Sequence, residues 1–370
     1  MLNKIKKKIK ITIRLFRYKV VNGNTYYPQA ARKPKLLIYL EQLFFIWHYG
    51  CYEAFYFLYG FDRKEMTLKR IREEYITPYP IFQEREGYLN THYPHSSATG
   101  VVLTVDKFYF SLFLEKLNMP TPHVLCYIKD GQIIYVDPQY KLDSSSSIEQ
   151  KLSQLLSYNM DVFCKPSGGK KGNGSFKMRI RDSQIFIDGE QNSVDNVIEM
   201  LLSDDYLIQE RICQHPELNK LCSTAVNTIR IQTIVREDGS ILAFGAGLRM
   251  GREGSIVDNW SKGGVFVGID MEKGALKDKG FLKPQYGTVS FCHPDTQVVF
   301  KDFIIPYYKE AERLVIEAHK MFYRCYSVGW DIAITEKGPV IIEANSLWGL
   351  SLIQAAHGGL KKQIGHYFDL

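Results

Sequence analysis

The chain reads as an α+β protein. Short apolar runs rich in β-branched and aromatic residues are separated by Gly, Asp and Pro turns, several of these runs pair across tight turns, and longer segments with helical spacing lie among them. Its 370 residues suffice for two or three packed subdomains, and 45% apolar with 24% charged residues is an ordinary globular composition. The net charge of +7 is concentrated at the start, where residues 1–20 hold eight Lys or Arg and no acid. The remainder is close to neutral, which argues against nucleic acid as a partner. Seven scattered cysteines without a C-x-x-C pair suit a reducing compartment, and with no signal peptide or apolar span in view the expected location is cytoplasmic.

Taken in order, residues 1–20 form a basic arm with Ile5, Ile9 and Leu15 among its lysines. It is a solvated tail, an interfacial segment on an anionic membrane, which would place the protein on the inner face of the plasma membrane, or, least favoured, a nucleic-acid contact. Residues 21–100 form an aromatic-rich region with two or three helices expected over 36–76. Its rings serve as core contacts or as a surface for a membrane interface or a glycan. From Thr77, the residues Pro78, Pro80, Gly87, Pro94 and Gly100 read as turns and set a boundary near residue 100.

Beyond that boundary, Asp106-Lys107 opens a helical pattern that Asn118-Met119-Pro120 stops. Strands are expected over 124–128, 133–136, 162–165, 176–180, 185–187 and 206–211, with helices ending near Tyr158 and spanning 194–202. A strand pair, 227–236 and 241–250, meets across Glu237-Asp238-Gly239, and a long helix follows over 306–326. The last clear feature is a hairpin, Gly329 to Ile334 and Pro339 to Asn345, turning at Lys337-Gly338.

Two of these features carry chemistry. In the terminal hairpin Glu343 and Asn345 share a face, and Asp331 stands on the partner strand. Two carboxylates and an amide oxygen are hard ligands of the kind Mg²⁺ takes while leaving positions for substrate phosphates. The second feature is Lys165-Pro166 followed by Ser167-Gly168-Gly169-Lys170-Lys171-Gly172-Asn173-Gly174. There glycines let backbone N–H groups approach an anion and lysines add charge. By itself that segment is equally a flexible hairpin tip, and its order is not that of a P-loop. The run Asp258-Asn259-Trp260-Ser261-Lys262-Gly263-Gly264 reads as a β-turn or as a loop walling an acceptor site. His215, His293 and His357 read as structural or acceptor-site residues rather than catalytic bases.

The order of parts, Asp106-Lys107, the Lys165 loop, Gln209-Glu210-Arg211-Ile212, Glu217 and the Asp331, Glu343, Asn345 hairpin, resembles the ATP-grasp superfamily of carboxylate-amine ligases over roughly residues 100–350. The runs Val226-Asn227-Thr228-Ile229-Arg230 and Gly247-Leu248-Arg249-Met250-Gly251, with residues 258–264, are similar to the sugar-transfer-associated members from bacterial polysaccharide clusters. The resemblance implies two α+β subdomains, about 160–212 and 213–370, clasping ATP behind a mainly helical N-terminal segment. It implies that Lys107 and Lys165 contact phosphates and that Ser167, Gly168, Gly169, Gly172 and Gly174 close over them. Gln209, Glu210 and Ile212 would hold adenine above Ile342, Glu217 would hold ribose, and Asp331, Glu343 and Asn345 would bind one or two Mg²⁺.

Many such ligases carry Arg two residues before the first metal-binding carboxylate, where this chain has Gly329, so the catalytic cation is assigned to Arg230 or Arg249. The implied reaction activates a carboxylate, such as a uronic acid, for attack by an amine. A glycan phosphotransferase and a non-catalytic nucleotide-binding scaffold are the alternatives.

Overall fold

The computed structural model describes residues 22–92, 96, 98–168, 173–322 and 325–370. The basic arm and Gly169 to Gly172 lie outside the described residues. Helices Lys35–Tyr49, Leu68–Glu74, Tyr79–His92, Ala98–Val105 and Lys107–Lys116 come first. The strands are β1 Val124–Lys129, β2 Gln132–Val136, β3 Met160–Pro166, β4 Phe176–Arg181, β5 Gln184–Ile187, β6 Glu190–Asn192, β7 Tyr206–Glu210, β8 Thr228–Val235, β9 Ile241–Met250, β10 Val265–Asp270, β11 Ala275–Phe281, β12 Val289–Ser290, β13 Ser327–Thr335 and β14 Gly338–Asn345. They form two seven-stranded antiparallel sheets, ordered β2-β1-β7-β3-β4-β5-β6 and β12-β11-β10-β9-β8-β13-β14.

Local sequence explains many boundaries. Asp106 caps the helix it precedes by accepting from Phe108 and Tyr109 N–H, and Ser147 with Gln150 forms a capping box on the helix Ile148–Leu155. Ser193 caps Val194–Leu202, whose Val197, Ile198 and Leu201 pack with Leu152 and Leu155 on the Val162, Met178 and Ile208 face of the first sheet. In the second sheet Ile229, Ile231, Leu248, Trp330 and Ile332 pack against Ala311, Val315 and Ala318 of the helix Tyr308–Met321. Alternation along β8, β9 and β13 sends Arg230, Arg249 and Asp331 to the opposite face.

Two expectations are corrected. The segment after Thr77 is helical over Tyr79–His92, because Pro80 sits in its first turn, where no intrahelical N–H is lost. Strands β10 to β12 were not anticipated: Lys277, Asp278 and Lys279 break the apolar pattern of β11, whose pairing with β10 holds it in the sheet.

The N-terminal helices pack onto the second half of the chain. Gln354 donates to and accepts from the Ile76 backbone at 3.1 and 2.8 Å, and Phe281 and Ala355 join a cluster with Phe45, Tyr59 and Phe61. Helix Tyr79–His92 reaches furthest: Asn90 Nδ2 donates to Ser346 O at 2.5 Å while its Oδ1 accepts from Ser327 N–H at 2.9 Å. Glu86 accepts from Trp348 N–H at 3.1 Å. This helix thus holds both the start of β13 and the turn that leaves β14.

Candidate nucleotide and metal site

The antiparallel register aligns charges in a row across three strands, with Arg230 on β8 opposite Asp331 on β13, and Asp331 opposite Glu343 on β14. Arg230 donates to Asp331 through Nε at 2.5 Å and Nη2 at 2.9 Å, and its Nη1 donates to Trp348 O at 3.0 Å. Arg249 bridges two carboxylates, Asp331 Oδ2 at 2.9 Å and Asp258 Oδ1 at 3.0 Å. Asp258 in turn accepts from the N–H and hydroxyl of Thr228. Burial pushes the Asp331 carboxyl up, but the two guanidiniums outweigh it and hold it below the ordinary carboxylate range. Burial also raises Asp258 despite Arg249, whereas the Asp258, Asp331 and Glu343 charges overcome the burial of Arg249 and keep it firmly protonated.

Gly329 stands opposite Asn345 and beside this row. A Cβ there would lie 2.2 Å from the Trp348 Cβ and 3.5 Å from Arg230 Cδ. The turn after β14 therefore excludes a side chain at 329, and the guanidinium comes from the neighbouring strand instead.

The first sheet and the helix Lys107–Lys116 supply the facing cations. Lys165 on β3 is buried, and its ammonium is brought down to about 8, first by desolvation and also by Lys107, while Glu343 of the other sheet opposes the shift. Lys107 donates to Ser167 O at 3.2 Å, and the Ser167 hydroxyl accepts from Tyr127 at 3.3 Å. Gly174, at φ +75°, closes the far side of the loop, its carbonyl accepting from Tyr206 at 3.0 Å. Gly168 is exposed at the near side.

Segment 120–123 links the sheets. Ile341 N–H donates to Pro120 O at 2.9 Å, Thr121 donates to Ile341 O at 3.0 Å, and Glu210 N–H donates to His123 O at 2.8 Å. Gln209 is buried and donates to Ser111 and Pro122, both at 3.0 Å, so its side chain fastens this link. Glu210 is exposed at the end of β7, and Ile212 is half-buried just beyond it. Glu217 is half-buried at the surface and pairs with Lys220 at 2.7 Å. Ile342 is the bulged residue, since Asp331 pairs with Glu343 and Ile332 with Ile341. The structure thus brings together Lys107, Lys165, Arg230, Arg249, Asp331 and Glu343, with Asn345 beside them. Glu217 is already engaged on the surface.

Sequence reasoning did not single out Glu86, whose place in a helix gave no local signal. Asp258 was visible only within an ambiguous run. The histidines have structural partners: His293 bonds Gly251 O, His357 bonds Ala246 O and is brought to about 4 chiefly by burial, and His215 accepts from Glu217 N–H.

The residues fit Mg²⁺ unevenly. Among the described residues no group of three His, Cys, Asp or Glu side chains is placed to hold a metal. A cation that keeps nucleotide phosphates as ligands needs only one or two protein carboxylates, and Glu343 with Asn345 offers such an oxygen pair. Asp331, with both oxygens held by guanidiniums, joins a cation only by exchanging one of them.

Two facing antiparallel sheets, a buried lysine on one and an acid-amide strand on the other, define an ATP-grasp fold. The chain belongs to the sugar-transfer associated ATP-grasp family, whose model matches residues 84–366. Solved structures with similarity include the L-amino acid ligase of Bacillus licheniformis (11% identity, TM-score 0.40, 80% of this chain and 56% of that one). Others are D-alanyl-alanine synthetase A of Vibrio cholerae (11%, 0.39, 72% and 68%) and N5-carboxyaminoimidazole ribonucleotide synthetase of Thermotoga maritima (13%, 0.36, 72% and 48%). The chain spans about half the length of the ribonucleotide synthetases it matches, 50% and 48% of them. No curated protein matches it in sequence.

Proposed function

We propose that this chain is an ATP-dependent carboxylate-amine ligase that modifies a bacterial surface polysaccharide or its precursor, for example by joining an amino acid to a uronic acid. The observation that carries the reading is the opposition of buried Lys165 to Glu343, with Arg230 and Arg249 beside them. A substrate carboxylate oxygen attacks the γ-phosphorus, ADP leaves, and an acyl phosphate forms. The amine nitrogen then attacks the acyl carbon, phosphate leaves, and the nitrogen loses its proton to solvent.

Lys165 and Lys107 bind the phosphates and hold them in line. Arg230 and Arg249 bind the substrate carboxylate and its acyl phosphate, exchanging contacts with Asp331 as they do so. Glu343 and Asn345 hold Mg²⁺, with Asp331 available once released; when bound, that ion neutralises charge on the phosphoryl oxygens. Glu217 and the Gln209 to Ile212 segment hold the nucleoside, with Ile342 beneath the base.

Purified protein offered ATP, Mg²⁺, uronic-acid acceptors and mixed amino acids should release ADP and phosphate and yield a condensed product by mass spectrometry. Absence of ADP release rejects the proposal, and a product heavier by one phosphate would establish phosphoryl transfer instead. The eight cations of the N-terminal arm support attachment to an anionic membrane surface on the cytoplasmic side. Among the described residues no helix is long and apolar enough to cross a membrane.

A further inference from the structure

The helix Lys35–Tyr49 buries Ile38, Phe45 and Ile46 together with the polar Glu41 and Gln42, and it leaves a second set of apolar side chains facing outward. Glu41, its only carboxylate, faces inward and accepts from Lys33 Nζ at 2.8 and 2.7 Å and from the Tyr56 hydroxyl. Gln42, also buried, donates to Glu53 O at 3.1 Å and accepts from Glu53 N–H at 3.0 Å. These bonds fix the rotation of the helix, because turning it would leave Lys33 and the Glu53 backbone unpaired. The outward face carries Leu36, Leu40 and Trp47, which are 68, 52 and 61% exposed. Leu43 is half-buried between them, and at the spacing i, i+4, i+7 and i+11 the four form one stripe.

Several cations stand near the stripe, one of them, Arg32, paired with Asp62. Lys35 begins the helix, and Arg72 lies over the Phe44 ring at 5.4 Å. A cleft of about 680 Å³ is lined by Asn22 and Thr25 together with Arg32, Lys35 and Ile38. Asn22, the residue through which the eight-cation arm is joined to the fold, therefore sits beside the first turn of this helix.

We propose that the outer face of Lys35–Tyr49 is the surface on which the protein lies against an anionic lipid bilayer. Leu36, Leu40, Leu43 and Trp47 enter the boundary between headgroups and acyl chains, and the flanking cations meet lipid phosphates. A stripe of leucines and Trp with no acid of its own, on a helix that begins with Lys35 and follows a basic segment in sequence, matches an anionic lipid interface better than the mixed polar rim of a protein partner. This inference rests on the membrane-surface reading above and is independent of the ligase reading.

The test is flotation of the full-length protein with phosphatidylcholine vesicles, with and without phosphatidylglycerol. It is run beside the variant Leu36→Ser, Leu40→Ser, Trp47→Ser and a variant lacking residues 1–20. The wild type should float with anionic vesicles, the triple variant should bind at least about tenfold more weakly, and Trp47 emission should shift to the blue on binding. Because the substituted side chains are exposed, thermal melting should show the triple variant folded. If the wild type fails to float, the membrane reading itself falls. If it floats but the triple variant floats equally and Trp47 emission does not move, the helix surface is excluded while the arm remains. Lipid-independent self-association lost in the triple variant would show a second copy as the occupant and overturn the proposal.

Discussion

The two sheets present opposite electrostatic states to the same cleft. The second sheet is internally neutralised there, since Arg230 and Arg249 are both tied to Asp331, and Arg249 also to Asp258. The first sheet buries Lys165, which feels the charge of the Glu343 carboxylate on the other sheet. The lesson is that anion affinity resides on the lysine side, where a buried charge gains most from a phosphate. The arginine side can engage a substrate only by giving up existing pairs.

The largest effect that would test this contrast is on stability. Arg249→Leu leaves the buried Asp258 without its cation and Asp331 with Arg230 alone, and it should cost about 3–5 kcal/mol in urea unfolding, as breaking a buried pair does. A loss below 1 kcal/mol would show that the second sheet is not held by this network.

Lys165→Met should behave oppositely, with unchanged or higher thermal stability but ATP affinity by calorimetry lowered about a hundredfold. The wild type carries a pH signature of the same asymmetry. With the Lys165 value near 8 in the folded state and 10.5 unfolded, the unfolded chain binds more protons between them. Folding stability arising from Lys165 therefore rises with pH over that window. Nucleotide affinity falls over the same window as the ammonium is lost, and Lys165→Met should remove both trends.

Next is Glu86, raised to about 8 by burial against the smaller opposing effects of Trp348 N–H and Arg230. A carboxyl raised on folding binds more protons in the folded state, so its contribution to stability falls from pH 4.5 to about 8. Glu86→Gln should remove a slope of up to about 1.4 kcal/mol per pH unit there, measured by chemical denaturation. The smallest effect expected is at Asn345. Asn345→Asp should keep Mg²⁺-dependent nucleotide affinity, while Asn345→Ala should lower it about tenfold because an oxygen ligand is lost.

The legible parts of the fold were those written in local signals. The capped helix after Asp106, the strand pair around Glu237-Asp238-Gly239 and the terminal hairpin follow from caps, alternation and turns. Strand β11, with lysines in its middle, was hidden because its stability comes from a neighbour rather than from its own pattern. Helix Tyr79–His92 was hidden because Pro78, Pro80 and Gly87 read as turns and its apolar spacing is weak, whereas Pro80 falls in the first turn and packing holds the helix through Gly87.

By itself, then, the sequence determined the alternation that puts Glu343 and Asn345 on one face, the concentration of cation in its first twenty residues, and the Lys165 strand with its glycine loop. Only the tertiary structure decided which charges meet. The partners of Asp331 lie 101 and 82 residues away, at Arg230 and Arg249, and the distance is crossed by strand register that no local pattern encodes. The same holds for the helix Lys35–Tyr49. Its composition allowed either face to be buried, and the pairing of Glu41 with Lys33 and of Gln42 with the Glu53 backbone turned the leucines outward.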